Sequence, residues 1–201
     1  MQNIQLLKAI SKTKLIKSGY SWLLGDMDFC MNILEKKYDK HLLSNFDAVL
    51  SEKDERVALL SDRYFMYNQE KKYIDFILKI FEKNDNCCII DTHFTSINYE
   101  YFLSYLNSGI DIKFQYLLLH QYIHFIGKKN RFFKIDDKDL LVLFFLFSLR
   151  EQPLSQFFLF PKDEICLVSN YDCLFPMFFK QKSLVANYSL MAKEAGLYII
   201  K

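Results

Sequence analysis

Glycine and proline are scarce, with five Gly and three Pro in 201 residues. That excludes a long Gly/Pro-rich linker or a low-complexity tract. No Gly-rich phosphate loop, GxSxG elbow or HExxH pair occurs, so the common signatures of nucleotide hydrolases, serine hydrolases and zinc proteases are missing. The five cysteines (Cys30, Cys87, Cys88, Cys166 and Cys173) are odd in number and form no CxxC pair. A reduced, cytoplasmic chain is the simplest expectation. The longest apolar run, residues 140–147, is too short to span a bilayer, and the N-terminal lysines precede no continuous apolar segment. No membrane partner and no cofactor are expected.

Net charge is small too, at +2. Residues 1–134 hold 19 Lys and Arg against 16 Asp and Glu, a balance of +3. Residues 135–201 hold 7 against 8, a balance of −1. The C-terminal third therefore lacks the excess of cations that drives nonspecific binding to nucleic acid. What the chain has in abundance is apolar surface: 51% hydrophobic residues, with 20 Phe and 13 Tyr, enough for a sizeable core.

Residues 1–18 read as an amphipathic helix or arm. Runs at residues 20–25, 46–50, 57–60, 87–90 and 112–119 read as five buried strands. Between them, residues 29–43, 68–83 and 97–106 have helical spacing. The clearest case is Tyr73, Phe76, Ile77, Ile80 and Phe81. Alternating strands and helices predict a five-stranded parallel sheet in an α/β domain over residues 1–126. The basic break GKKN at Gly127–Asn130 opens a linker over residues 127–134. Residues 135–201 then read as four short helices, with a turn at Pro161 and a stop at Gly196.

In that C-terminal part, KDLLVLFFL, PLSQFFLF, EICLVSNYDCLF and SLVANYSLMAKEAGL follow one another at short intervals. This succession resembles the LuxR-type helix–turn–helix of NarL-class response regulators, and Val168-Ser169-Asn170-Tyr171 resembles the recognition run. The resemblance implies a receiver-like N-terminal domain. It implies base contacts from Ser169, Asn170 and Tyr171, phosphate contacts from Lys162, Lys180 and Lys182, and a dimerisation helix bearing Leu184, Val185, Tyr188 and Met191. Asp26, Asp28, Asp62 and Thr92 fall near a receiver's metal and phosphate pocket, but no Lys follows the fifth strand. A degenerate pocket that does not use aspartyl phosphorylation is the implication. Phe157 stands where the family has a Glu, Asp172 would repel phosphate, and Pro176 would end the recognition helix early.

Two functions follow as expectations, neither of them enzymatic. One is an atypical transcriptional regulator that binds DNA as a homo- or heterodimer. The other is an interaction module that controls a partner regulator without touching DNA. His120 and His124 have the spacing of a metal pair on one helix, but no third ligand stands at a suitable distance in the sequence. Ordinary side-chain roles are expected for them and for the DxD-like Asp26-Met27-Asp28. Phe175, Phe178 and Phe179 are expected either in the core or in an exposed apolar patch.

Overall fold

The computed structural model describes residues 5–60 and 63–201. Its centre is one eight-stranded antiparallel sheet, in the order β1-β4-β3-β5-β6-β7-β2-β8. The strands are β1 (Lys8–Ala9), β2 (Asp39–Ser44), β3 (Cys88–Thr92), β4 (Phe132–Ile135), β5 (Ser155–Phe160), β6 (Ile165–Val168), β7 (Phe175–Phe179) and β8 (Tyr198–Ile200). The helices are α1 (Lys12–Lys17), α2 (Met27–Lys37), α3 (Val57–Leu60), α4 (Arg63–Lys83), α5 (Tyr99–Leu106), α6 (Ile112–Phe125), α7 (Lys138–Leu149) and α8 (Val185–Glu194).

Helices cover both faces of the sheet, and its central strands alternate between two cores. Phe158, Phe160, Ile165, Leu167, Met177 and Phe179 point to one side. There they meet α4 through Tyr73, Phe76, Ile77 and Ile80, and α7 through Leu140, Leu141, Leu143, Phe144 and Phe147. Phe157, Leu159, Cys166, Val168 and Phe178 point to the other side, against Leu15, Trp22, Leu23, Cys30 and Leu34. This is the period-2 geometry of a strand buried on both sides.

α7 is buried all round. Every residue from Leu140 to Leu149 is removed from solvent, as expected of a helix apolar on all faces. Asp137 caps it, accepting from the Asp139 and Leu140 amides at 2.9 and 3.0 Å. α8 ends at Gly196, whose φ of +78° lets the Leu197 amide turn back to the Ala192 carbonyl at 2.8 Å.

The antiparallel sheet overturns the expected five-stranded parallel receiver fold and the all-helical C-terminal part. Residues 112–119 and 57–60, expected as strands, lie in the helices α6 and α3. Residues 20–25, also expected as a strand, include a 3-10 turn at Ser21–Leu24. Residues 127–134, expected as a linker, run into β4 inside the sheet. The expected second and third C-terminal helices are strands β5, β6 and β7. Their apolar runs are unbroken because both faces are covered, and such a run carries no period to separate strand from helix. The supposed recognition run also contains a tight turn, with Asp172 and Cys173 at φ +57° and +49°. Two successive left-handed residues exclude a right-handed helix there. Pro176 sits within β7, opposite Leu42 of β2. Pairing with β6 stops at Met177, so no β6 partner is left waiting for the missing N–H.

Candidate functional site

Two surfaces stand out. The first is a cleft of about 500 Å³ at the end of β3. Asp91, Thr92, His93, Thr95 and Ser96 form one wall, and Gly127, Lys128, Lys129, Asn130 and Arg131 form the other, with Gln156 from β5 between them. The pairing of β3 with β5 slips between Asp91 and Thr92. Such a bulge re-aims the following side chains.

The walls are tied together. The Thr92 amide donates to the Arg131 carbonyl at 2.8 Å, and Thr95 Oγ1 donates to the Asn130 carbonyl at 2.7 Å. Thr92 Oγ1 donates to the Leu154 carbonyl at 2.5 Å. Asp91 is the one carboxylate of the lining, and Arg131 holds it with a fork: Nε to Oδ1 and Nη2 to Oδ2, both at 2.6 Å. Nη2 also donates to the Gly25 carbonyl at 3.0 Å. Lost hydration lowers the pKa of His93, against a smaller opposing pull from Asp91. Lys128 lies 5.0 Å from the centre of the Phe125 ring. Lys129 has no ion-pair partner among the described residues.

The second surface is the outer face of α6. Ile112, Tyr116, Leu119, Ile123 and Ile126 are between 37% and 69% exposed. The spacing of four, three and four residues puts Ile112, Tyr116, Leu119 and Ile123 on one stripe of the helix, and Ile126 follows at its C-cap, where the backbone leaves helical geometry. The opposite face is buried by Leu118, Gln121 and Phe125. α5 packs beside it through Phe102, which stacks on Tyr122 at 3.7 Å, and adds exposed Tyr99 and Leu103. Residues 99–126 carry only Glu100, Asp111 and Lys113 as formal charges.

The residues implied by the resemblance are scattered, and most have structural partners. Asp26 caps α2 by accepting from the Phe29 amide at 2.9 Å, and Asp28 sits in that helix's first turn. Thr92 is buried in the cleft wall. Asp62 lies outside the described residues. Lys162 pairs with Asp85 at 2.7 Å, Lys180 with Glu164 at 3.6 Å, and Lys182 with Asp39 at 3.9 Å. Ser169 bonds the Ser155 carbonyl at 2.6 Å and Asn170 the Leu174 carbonyl at 2.9 Å, while Tyr171 is exposed. Leu184, Val185 and Met191 pack against the main core, and Tyr188 is fully buried. Phe175, Phe178 and Phe179 are core residues.

His120 and His124 share α6, and no group of three or more His, Cys, Asp or Glu side chains gathers around a common point among the described residues. No described helix is long and apolar enough to cross a membrane. No protein-family model matches this chain, and no curated protein or solved structure matches it either.

Both surfaces were hard to find from sequence. GKKN announces a basic loop, but its meeting with Thr92 and His93 depends on β3 pairing with β4, a contact between distant segments. The α6 stripe carries a 4-3-4 spacing. It was hidden because IKFQYLLL also reads as an apolar strand.

Proposed function

We propose that this chain is a self-associating protein-interaction module whose contact surface is the outer face of α6. The observation that carries the proposal is the exposed stripe Ile112, Tyr116, Leu119, Ile123 and Ile126. A solvated helix face ordinarily carries charge, and large apolar side chains at heptad spacing mark a seam for another helix. Tyr99 and Leu103 of α5 add exposed apolar side chains, and an apolar patch of this kind marks a protein contact.

A second copy fits the stripe. In an antiparallel, two-fold pair of α6 helices, Ile112 faces Ile123 of the other copy and Tyr116 faces Leu119, and each layer occurs twice. A two-fold interface demands such self-complementarity. The near absence of charge argues against an acidic or basic partner, and one lysine in 28 residues gives anionic lipid little to attract. Dimer formation by the chain is retained from the sequence expectations; the contact moves from α8, which is spent on the core, to α6. A DNA-reading role lost its recognition helix when that segment proved to be strand and turn, and no observation favours it.

Sedimentation equilibrium across micromolar concentrations tests the proposal. A dimer that becomes a monomer in Leu119→Glu/Ile123→Glu, with unchanged circular dichroism, supports it. A wild-type monomer throughout, or a dimer indifferent to the double substitution, rejects it.

A further inference from the structure

The cleft at the end of β3 is independent of the α6 stripe. We propose that it is a binding site for a small, multiply charged phosphate-type anion, such as a pyrophosphate or a polar phosphate ester. Four observations lead there.

First, the charge balance of the lining is positive. Lys128, Lys129 and Arg131 face one carboxylate, and that carboxylate is already engaged by Arg131. Second, Arg131 is preorganised. Its Nε–H and one Nη2–H are bound to Asp91 and the other Nη2–H to the Gly25 carbonyl. The two N–H groups of Nη1 have no partner among the described residues. A guanidinium clamped on one edge with donors free on another suits a tetrahedral oxyanion. Third, the remaining lining side chains are His93, Thr92, Thr95, Ser96, Asn130 and Gln156; the hydroxyl protons of Thr92, Thr95 and Ser96 are spent on the Leu154, Asn130 and His93 carbonyls, which leaves the His93 ring and the Asn130 and Gln156 amides to donate. No Phe, Tyr, Trp or aliphatic side chain lines the cleft, so it has no large apolar platform for a nucleobase. Fourth, a cleft of about 500 Å³ exceeds what one orthophosphate would fill, which favours a ligand with at least two phosphate-sized groups.

The bulge at Asp91/Thr92 and the bonds from Thr92 and Thr95 to the facing loop fix the two walls before any ligand arrives. Preorganisation of this kind spares the ligand the cost of ordering a loop. His93 would add a hydrogen bond, beside the charge of the lysines and Arg131.

The test is isothermal titration of the full chain with pyrophosphate at low ionic strength, with amide chemical shifts recorded alongside. Saturable binding is expected, with the largest shifts at Thr92, Thr95, Ser96 and Asn130. Lys128→Ala/Lys129→Ala, both on the surface, should weaken binding at least tenfold without changing the melting temperature. Arg131→Lys keeps the charge but loses the fork, and should weaken it as well. Absence of saturable heat at millimolar pyrophosphate would overturn the proposal, as would binding indifferent to the double lysine variant or shifts centred elsewhere. A single-stranded oligonucleotide that binds and is not displaced by pyrophosphate would also overturn it, in favour of a nucleic-acid surface.

Discussion

Arg131 and Asp91 meet as a fork in which the carboxylate is 6% exposed and the guanidinium 44%. The pair is asymmetric: the buried partner depends on the accessible one. Removing Arg131 would leave a buried anion with no cation, whereas removing the charge of Asp91 leaves an arginine that can turn to water. Arg131→Ala should therefore cost about 1–3 kcal/mol, and Asp91→Asn less, because the amide keeps the shape and an acceptor. Urea unfolding of the two variants checks the order. Equal losses would mean that the pair is as solvated as any surface bridge.

α7 offers a cleaner test of the core. Phe144 is fully buried and packs edge-on against Phe94, with 5.8 Å between ring centres. Phe144→Ala should cost about 3–5 kcal/mol through lost transfer energy and the cavity left behind. Leu190 on α8 is 61% exposed, and Leu190→Ala should change stability by less than about 0.5 kcal/mol. Chemical denaturation of both variants measures the contrast. If α7 were a peripheral helix, the two would come out alike.

These two helices also show what the sequence made legible. Tyr73, Phe76, Ile77 and Ile80 announce α4 by their period, and all four are buried. α7 was readable as a strongly apolar helix, and α8 from the stop at Gly196. β5 to β7 were not. FFLF and ICLV are apolar at every position because both faces of the sheet are covered, and a run without period fits either element. The order of strands in the sheet was equally hidden, since β2 lies between β7 and β8 through contacts made more than a hundred residues apart. At the cleft, Thr92 and the basic loop were each visible, but their pairing was not. At α6, the same lack of charge that leaves its outer face apolar made the segment resemble a strand.

Tyr188 ties α8 to the sheet. Its hydroxyl donates to Asp163 Oδ2 at 2.5 Å and accepts from Asn84 Nδ2 at 3.0 Å, while Lys83 lies over its ring at 4.1 Å. Tyr188→Phe keeps the ring packing and strands a half-satisfied carboxylate and amide. A loss of about 1–3 kcal/mol is expected, with faster amide exchange in α8 than in α7. Hydrogen exchange read by mass spectrometry follows both helices. Uniform loosening would mean that the hydroxyl network does not anchor α8 in particular.

Buried thiols and phenols give the fold an alkaline limit. Burial pushes Cys30 up to about 11, Cys173 up to about 12 and Tyr20 up to about 12, and holds Cys88, Cys166, Tyr38 and Tyr73 above their ordinary values as well. In each case the folded pKa exceeds the unfolded one, so at high pH the unfolded chain sheds protons that the folded chain keeps. Stability from these groups is complete below their unfolded pKa values, near 9 for the thiols and 10 for the phenols. It is lost as pH rises through the interval up to the folded values. Each group in its interval contributes a slope of about 1.4 kcal/mol per pH unit, so several thiols acting together make the decline steep. Urea midpoints measured from pH 7 to 11 should hold level to about pH 8.5 and then fall. Replacing Cys166, a fully buried member of the second core, with Ala should shallow that fall even though it lowers stability at pH 7. A decline of unchanged steepness in the variant would show that thiol burial does not set the limit.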